Sequence, residues 1–416
     1  MKTVGLVVEY NPLHNGHKLH FEAAKEATGA DSCVIVMSGN FLQRGEPALV
    51  SKRARAEMAL RLGVDLVIEL PLPFATANAE LFAHGAISIL DRLGVVDSVC
   101  FGSESGEISW MHPLAEALAI EPLEFQEHLK MNLSNGLAYP LAYAQAATRY
   151  MQKFGFNQIP LDQPNNILGF NYVLALKRLN SRMEAVTIQR KKADYHQQSI
   201  TDKQIASATA LRKLLLDDKA DLSSLAAYVP ETTLDVLRRE FNQGAGPICW
   251  DHYRHPLFHR LLQLTPQELS TYHEIEEGME NRLIASVKRS KTVQELITEA
   301  KTRRFTWNRL QRMLLSVLLN LTKQEVASFQ LKSGAPYARI LGFSDKGQQL
   351  LKEARKKSSI PLITKARDHI HPMLDLDLRA SAIYQLGQPN GFSNDFLSEY
   401  KLPPLTLASV STFADN

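Results

Sequence analysis

The sequence contains little cysteine and no long apolar run. Its three cysteines, Cys33, Cys100 and Cys249, lie far apart, which excludes a disulfide framework and a CxxC-type zinc site. No apolar run approaches the roughly 18 residues that a membrane-spanning helix requires. The apolar stretch at residues 4–8 is too short for a signal peptide, and Glu9 follows it directly. We therefore expect a cytoplasmic protein with reduced thiols that does not enter a membrane.

Internal repeats and low-complexity segments are also absent from the 416 residues. The formal net charge of +3 conceals an asymmetry, because residues 1–180 are net acidic and the remainder is net basic. The basic residues of the second part form three clusters: Arg182, Arg190, Lys191 and Lys192; Lys301, Arg303, Arg304, Arg309 and Arg312; Lys352, Arg355, Lys356 and Lys357. One such cluster is typical of a solvated helix face. Three together favour a polyanionic partner, and we expect RNA rather than DNA.

The first hundred residues alternate between predicted strands and helices. Strands are predicted at residues 4–8, 32–37, 66–70 and 98–101, with helices at 51–62 and 79–93. This alternation predicts an α/β fold, a parallel sheet with helices on both faces. Ligands of such sheets bind beyond the carboxyl ends of the strands. The loops there, at residues 10–17, 38–47, 71–78 and 102–106, are rich in Gly, Asn, Ser or Pro.

The remaining chain is predicted to be mainly helical. Residues 164–166 are expected to cap a helix at 167–179, and residues 185–190 to form the last strand of the sheet. Longer helices are predicted at residues 222–241, 266–288 and 292–321. A strand at 339–343, a helix at 346–357 and a strand at 360–364 suggest a small α/β tail. We therefore predict an α/β region at residues 1–217 with a helical insertion, and a mainly helical, basic region at 218–416.

The most informative segment is His14-Asn15-Gly16-His17, between the first predicted strand and the first predicted helix. Gly16 lets the backbone approach a nucleotide, and a helix N-terminus offers unpaired N–H groups and partial positive charge. His14 and His17 can donate hydrogen bonds to phosphoryl oxygens whose charge grows during attack at phosphorus. The alternative is two surface histidines in a turn. The preceding strand and following helix favour a phosphate site.

A second segment, Ser207-Ala208-Thr209-Ala210-Leu211-Arg212, opens another predicted helix. Hydroxyl groups at a helix start and an arginine one turn later suit triphosphate binding, although the segment alone is typical of a capped helix. Together with HNGH it resembles the HxGH and ISSTxIR signatures of the nucleotidyltransferase superfamily related to class I aminoacyl-tRNA synthetases. Ala208 and Leu211 depart from the second signature.

Further segments narrow the resemblance to one family. GLVVEYNPLHNGHKLH, MSGNFLQRGEPA, KRARAEMAL, LPFATANAELFA, FGSE, PNNILG and the TIQR segment ending at Arg190 resemble the bacterial tRNA(Met) cytidine acetate ligases. The resemblance is dense over residues 1–215 and looser beyond. It implies a HIGH-type, Rossmann-like nucleotidyltransferase domain and an ATP-dependent ligase. Acetate and ATP would form acetyl-adenylate and pyrophosphate, and the acetyl group would pass to N4 of the wobble cytidine of elongator tRNA(Met), giving N4-acetylcytidine.

The resemblance also implies the residues of the ATP site. The contact run comprises Val7, Val8, Glu9, Tyr10, Asn11, Pro12, Leu13, His14, Asn15, Gly16, His17, Lys18, Leu19 and His20. Gly102, Asn165 and Arg190 should complete the pocket, although helix capping is an equal alternative for Asn165. His14 and His17 are the expected catalytic residues, and Ser207 and Arg212 are expected to hold the leaving pyrophosphate. Mg²⁺ is expected to neutralise the charge of the triphosphate, yet no acidic cluster in the sequence indicates which residues would bind it.

Contacts with tRNA are less well defined by the sequence. Gln43, Arg44 and Glu46, in the loop after the second strand, are candidates for reading the wobble base, against the alternative of a mobile surface loop. Arg303, Arg304, Lys356 and Lys357 are expected to hold the tRNA backbone. His252, His255 and His259 suggest a metal site, but Pro256 interrupts their helical spacing and favours structural roles.

Two other functions are consistent with part of the sequence. A small-molecule adenylyltransferase, acting on a mononucleotide or pantetheine phosphate, would share HNGH but needs neither the second half of the chain nor its basic clusters. A non-catalytic RNA-binding protein with a vestigial nucleotide site would not explain why both histidines and Arg212 are present together.

Overall fold

The structure, a computed structural model, describes residues 1–190, 205–389 and 396–411, so Lys191 and Lys192 lie outside the described residues. The strands are β1 (Thr3–Val8), β2 (Ser32–Ser38), β3 (Leu66–Leu70), β4 (Ser98–Ser103), β5 (Glu184–Gln189), β6 (Ala338–Phe343), β7 (Leu362–Ile363) and β8 (Leu405–Thr406). The α-helices are α1 (Asn15–Thr28), α2 (Lys52–Leu62), α3 (Leu72–Ala75), α4 (Ala79–Arg92), α5 (Met111–Leu118), α6 (Leu123–Ser134), α7 (Tyr139–Met151), α8 (Pro164–Arg178), α9 (Ala208–Leu216), α10 (Glu231–Asn242), α11 (Arg254–Gln263), α12 (Pro266–Leu269), α13 (Met279–Val287), α14 (Val293–Ala300), α15 (Trp307–Leu318), α16 (Lys323–Ser328), α17 (Asp345–Lys357), α18 (Pro372–Gln385), α19 (Ser398–Lys401) and α20 (Leu407–Ser411).

The sheet has the order β5-β4-β1-β2-β3-β6-β7, and β8 pairs with β6. Strands β1 to β5 are all parallel, which confirms the predicted α/β fold. Successive residues of β2 enter different cores: Val34 and Val36 contact one hydrophobic cluster, whereas Cys33 and Ile35 contact the other. Because both faces are covered, the strands read as continuous apolar runs rather than as alternating ones.

The carboxy-terminal tail extends this same sheet. Strand β6 pairs antiparallel with β3, with Ile68 opposite Ile340, and β7 and β8 run parallel to β6. The small α/β tail predicted from the strand–helix–strand order is confirmed, and its strands join the main sheet through β6. Ala338, Ile340 and Leu341 of β6 are buried there, whereas two isolated strands would be marginally stable. The boundary at residue 217 stays a prediction, since the regions on its two sides share one sheet.

The three long helices predicted after residue 217 are each divided. Pro230 precedes α10, so the helical pattern at 222–241 is broken there. Between α12 and α13, Glu274 and Glu277 have φ values of 62° and 58°, which a continuous α-helix does not allow. Thr306 is extended before α15, which separates it from α14. Within the described residues, no helix combines the length and apolarity needed to cross a bilayer.

Two buried cations of α2 join distant parts of the chain at the carboxyl ends of the strands. Lys52 Nζ lies 2.8 Å from Glu69 Oε1 on β3 and 3.1 Å from Glu399 Oε2 on α19. Arg339 Nη1, on β6, lies 3.1 Å from Glu69 Oε2. Arg55 is fully buried and donates to the carbonyl oxygens of the loops that follow β1 and β2. These contacts hold the loops that follow β1 and β2 in place.

Candidate active site

The candidate site lies where the strand order changes direction. The chain passes from β1 to β2 and β3 on one side, whereas β4 and β5 lie on the other side of β1. Ligands of open α/β sheets bind outside the carboxyl ends of the strands at such a switch point. The HNGH segment begins α1 at this crevice, directly after β1. Its predicted position between a strand and a helix is therefore correct.

His14 and His17 cap the start of α1 through their own rings. Nδ1 of His14 accepts the N–H of Gly16 at 3.1 Å, and Nδ1 of His17 accepts the N–H of His14 at 3.3 Å. A neutral imidazole that accepts at Nδ1 carries its proton at Nε2. The rings stack with centroids 3.8 Å apart. The capping contacts therefore give both histidines Nε2–H donors for a ligand.

The histidines of this turn are held in the neutral form. Burial, with the charges of Arg190 and Arg212, lowers the pKa of His14 to about 3. Burial, with the neighbouring His14, Arg190 and His20, holds the pKa of His17 well below its ordinary value. Burial and Arg190 lower the pKa of His20 to about 4. The three histidines are buried from water and lie near cationic arginines, so this site is suited to an anionic ligand.

Two buried nitrogens beside the histidines lack partners among the described residues. They are Nε2 of His20 and Nδ2 of Asn11. Buried polar nitrogens in folded proteins are almost always hydrogen-bonded, so each of the two atoms indicates a partner that a ligand would supply. Both residues belong to the run predicted to contact ATP.

The β4 and β5 side of the crevice brings together the other predicted ATP contacts. A Cβ placed on Gly102 would lie 3.0 Å from Arg190 Cγ and 3.8 Å from His20 Cδ2. Arg190 Nη1 donates to Asn165 Oδ1 at 3.4 Å. Gly102 thus leaves space beside Arg190 and His20 that a side chain at this position would fill. The structure places Gly102, Asn165, Arg190 and His20 in one group, although they come from four different elements.

The start of α8 is capped by a residue that the sequence analysis did not single out. Glu104 accepts the N–H of Asn165 at 3.1 Å, the N–H of Asn166 at 2.7 Å and Nδ2 of Asn165 at 2.6 Å. The helix begins at Pro164 with Gln163 as its N-cap, so the expectation that residues 164–166 cap a later helix is wrong. A carboxylate at a helix N-terminus is favourable for charge reasons as well. The signal was the acidic end of FGSE, which a local pattern cannot connect with a helix 60 residues away.

The second motif reaches the crevice through Arg212. Ser207 is the N-cap of α9 and accepts the N–H of Ala210. Arg212, one turn later, donates from Nη1 to the carbonyl oxygen of Asn11 at 2.8 Å and pairs through Nη2 with Glu46 at 2.8 Å. The guanidinium therefore lies against the turn that leads into HNGH. The structure brings the two motifs together as their resemblance implies.

The loop after β2 is held firmly in place. Gln43 donates from its backbone N–H to Glu9 at 2.8 Å and from Nε2 to the carbonyl oxygen of Ala77 at 3.0 Å. Gly45 lies against the backbone of α15, where a Cβ would be 2.5 Å from the nitrogen of Arg312. These contacts favour an ordered loop over a mobile one, and the side chains of Gln43 and Glu46 already have partners within the protein. A role of Gln43, Arg44 and Glu46 in reading a base stays a prediction.

The rest of the predicted ATP run divides between core and surface. Leu13 is fully buried in one hydrophobic cluster, while Val7 is partly buried against the other. Lys18 lies on the exposed face of α1, 4.0 Å from Glu22, and Leu19 is 49% exposed. Side-chain contact with a nucleotide is therefore best supported for His14, His17 and His20.

The predicted tRNA contacts lie on the surface. Arg303, Arg304, Lys356 and Lys357 are exposed. Arg304 pairs with Glu277 at 2.7 Å and Lys356 pairs with Glu353 at 2.9 Å. Such exposed pairs contribute little to stability, so these cations can exchange partners readily.

The described residues contain no group of three or more His, Cys, Asp or Glu side chains that could hold a metal ion. His252, His255 and His259 are all exposed, and the structural role expected for them stays a prediction. His255 contacts Arg254 at the surface, at 2.9 Å. The helix α11 begins at Arg254 and includes Pro256 in its first turn, where proline is tolerated.

Comparison with known proteins gives consistent results over nearly the whole chain. A family model described as HIGH Nucleotidyl Transferase matches residues 1–398. The chain is 41% identical over 400 residues to the tRNA(Met) cytidine acetate ligase of Acetivibrio thermocellus, covering 94% of this chain and 96% of that relative. It is 40% identical to the corresponding protein of Bacillus subtilis, covering 97% of each. The crystal structure of Thermotoga maritima TmcAL bound with alpha-thio ATP matches with a TM-score of 0.89 and 33% identity, covering 98% of this chain and 100% of that one.

Proposed function

Because this chain belongs to the HIGH nucleotidyl transferase family, and within it to the tRNA(Met) cytidine acetate ligases, we propose that it joins acetate to tRNA(Met) at the expense of ATP. Acetate is activated as acetyl-adenylate with release of pyrophosphate. The acetyl group is then transferred to N4 of the wobble cytidine of elongator tRNA(Met). The observation that carries this proposal is the pair of stacked histidines whose Nε2–H groups are left for phosphate at the switch point of the sheet.

In the first half-reaction an acetate oxygen attacks the α-phosphorus of ATP. The bond between that phosphorus and the bridging oxygen breaks, and pyrophosphate leaves with the electron pair. His14 and His17 donate from Nε2 to phosphoryl oxygens as their charge increases. Gly102, His20, Asn165 and Arg190 surround the nucleotide on the β4 and β5 side. Since the donors are oriented before ATP arrives, little reorganisation is required at the moment of reaction.

Arg212 is proposed to receive the leaving pyrophosphate together with Ser207. The guanidinium is already oriented by the carbonyl oxygen of Asn11 and the carboxylate of Glu46. An arginine presents several donors in one plane and stays charged at any working pH, which suits a multiply charged leaving group.

Mg²⁺ is proposed as a neutraliser of the triphosphate. The described residues supply no carboxylate cluster for it, since Glu46 is paired with Arg212 and Glu104 caps α8. The ion would therefore be held by phosphate oxygens and water, as is common for Mg²⁺ in phosphoryl-transfer sites. No step above depends on it.

The second substrate is a base in an anticodon loop. A wobble cytosine is single-stranded and can turn out into a protein pocket. Its N4 amine is a weak nucleophile, because the lone pair is delocalised into the ring, so positioning carries much of the catalysis. Arg303, Arg304, Lys356 and Lys357 are proposed to bind the phosphate backbone of the tRNA, an interaction that depends on salt concentration.

The test is nucleoside analysis of bulk tRNA after incubation with the protein, ATP and acetate. N4-acetylcytidine should form only when ATP and acetate are both present, with one pyrophosphate released for each acetyl group transferred. A His14→Asn variant serves as the matched control. ATP consumption that requires a phosphorylated small molecule instead would indicate a small-molecule adenylyltransferase. Binding of tRNA without any ATP consumption would indicate a non-catalytic RNA-binding protein.

A further inference from the structure

Glu9 occupies a position at the crevice that the first half-reaction does not use. It follows β1 directly, and its Oε1 accepts the N–H of Gln43 at 2.8 Å and the hydroxyl of Ser38 at 3.4 Å. Arg55, the nearest cation on α2, donates to the backbone carbonyl of Glu9 and not to its carboxylate. Oε2 makes no hydrogen bond to the described residues. One carboxylate oxygen is therefore fixed and the other is available.

Glu9 belongs to the run predicted to contact ATP, but its carboxylate is directed to the other side of the crevice from Gly102, Asn165 and Arg190. Gly102, Asn165 and Arg190 lie on the β4 and β5 side of β1, whereas Ser38 ends β2 and Gln43 follows it on the other side. Because the proposed nucleotide contacts occupy the β4 and β5 side, the β2 side is the part of the crevice left for the acceptor. Glu9 is thus placed to meet the acceptor and not the nucleotide.

The backbone geometry next to Glu9 supports this division. Tyr10 has a φ value of 51°, an uncommon conformation for a bulky residue, and its ring lies 5.0 Å from the ring of His17. The side chains of Glu9 and Tyr10 therefore point in different directions. Tyr10 points toward the histidines, and Glu9 points toward the loop after β2. Such local strain is found mainly where a site requires it.

The surroundings keep the carboxylate basic. Burial raises the pKa of Glu9, the Gln43 N–H lowers it, Glu46 raises it, and Arg44 and Arg55 lower it. Ser38 on β2 adds a neutral hydrogen bond. A carboxylate whose proton affinity is increased within a cleft is typical of a group that exchanges protons.

We propose that Glu9 binds the N4 amino group of the target cytosine and removes its proton during acetyl transfer. The inference rests on the proposed function. As the N4–carbon bond forms, the bond between the acetyl carbon and the phosphate oxygen breaks, and AMP leaves with the electron pair. The N4 proton moves to Oε2 of Glu9. A carboxylate is also the side chain that recognises the amino donor of cytosine, so Glu9 contributes to choosing this base.

The experiment separates the two half-reactions in wild type, Glu9→Gln and Glu9→Asp. Acetate-dependent exchange of pyrophosphate into ATP measures adenylation. Single-turnover transfer of labelled acetyl from the enzyme-bound adenylate to tRNA measures the second step, across a range of pH. Glutamine preserves the size of the side chain and its acceptor for Gln43 but cannot take a proton.

Glu9→Gln should slow transfer by about 100-fold or more, the range of general-base catalysis, while exchange falls by less than about 10-fold. Wild type and Glu9→Asp should lose transfer activity toward acid pH, and Glu9→Gln should lack this dependence. Equal loss of both half-reactions in Glu9→Gln, with the acid dependence retained, would overturn the inference, as would transfer at the wild-type rate. If wild type itself fails to acetylate tRNA, the proposed function fails instead. Exchange activity in each variant reports that its site is folded.

Discussion

The rings of His14 and His17 stack with centroids 3.8 Å apart, and each accepts a backbone N–H of its own helix turn through Nδ1. One edge of each ring therefore holds the helix start, and the other edge is left for a ligand. Loss of either histidine would remove a cap and a phosphate donor together. Substitutions that retain the acceptor but lack the ring donor can separate these two roles.

His14→Asn and His17→Gln are expected to lower adenylation without unfolding the protein. Asn is among the best N-cap residues, and Gln at the third helical position completes a capping box. When the amide oxygen accepts the helix N–H, the amide NH2 does not lie at the position of the ring Nε2–H, so acetate-dependent pyrophosphate exchange should fall by about two to three orders of magnitude. Urea unfolding should change by less than about 1 kcal/mol. Exchange at the wild-type rate in both variants would show that the histidines do not act on phosphate.

The ligand-free protein should lose stability as the pH falls below neutrality. The pKa of His14 is about 3 in the folded state, below the ordinary value of about 6.5 in the unfolded chain. The unfolded chain therefore binds the proton first, so stability is complete above pH 6.5 and declines as the pH falls toward 3. By pH 5 the loss from His14 alone is about 2 kcal/mol.

Urea unfolding at pH 7 and pH 5 measures this effect in wild type and in His14→Asn, which keeps the cap and cannot titrate. The variant should show the smaller dependence on pH. An identical dependence in both proteins would mean that His14 is not held neutral by the fold.

We expect Arg212 to act through the several N–H donors of its planar guanidinium group. It contacts Asn11 and Glu46 at once, which a lysine ammonium cannot reproduce in the same plane. Arg212→Lys should lower pyrophosphate exchange by roughly 10-fold and Arg212→Ala by roughly 100-fold, as for loss of a charged hydrogen bond in a site. Lys213→Ala, on the same helix, is the control. Full pyrophosphate exchange in Arg212→Ala would show that Arg212 does not act in the first half-reaction.

Reversal of charge at Arg303 and Arg304 should weaken tRNA binding and leave adenylation intact. Each lost phosphate contact should reduce the slope of log affinity against log salt by about one. Lys130→Glu combined with Arg149→Glu makes the same change of charge on exposed residues of the amino-terminal part. Filter binding over a range of salt concentrations measures both pairs. Equal weakening by both would indicate a general effect of net charge.

The sequence predicted the elements that depend on local pattern. Continuous apolar runs predicted β1 to β4 closely, and HNGH was placed correctly because strand, turn and helix start are adjacent in the chain. Arg212 and Arg190 were linked with it only through family resemblance. The capping role of Glu104 and the pairing of Arg212 with Glu46 depend on contacts between residues far apart in sequence, which no local pattern specifies.

Lys52 and Arg55 illustrate what the sequence could not reveal. The segment SKRARAEMALRL predicts a helix but not which of its cations are buried, and Lys52 and Arg55 both are. Lys52 meets Glu69 and Glu399, and the latter lies almost 350 positions further along the chain. A buried charge is tolerated only when partners compensate it, and those partners are brought by the fold.

Lys52→Met is therefore expected to be strongly destabilising. Methionine fills similar space but leaves Glu69 and Glu399 buried with fewer cationic partners, so the free energy of unfolding should fall by about 3 to 5 kcal/mol. Arg53→Met, at the next position, loses one partly exposed hydrogen bond to the carbonyl oxygen of Pro403 and should cost about 1 kcal/mol or less. Urea unfolding of the two variants measures the difference. Equal stability of both would mean that the buried network adds nothing to the fold.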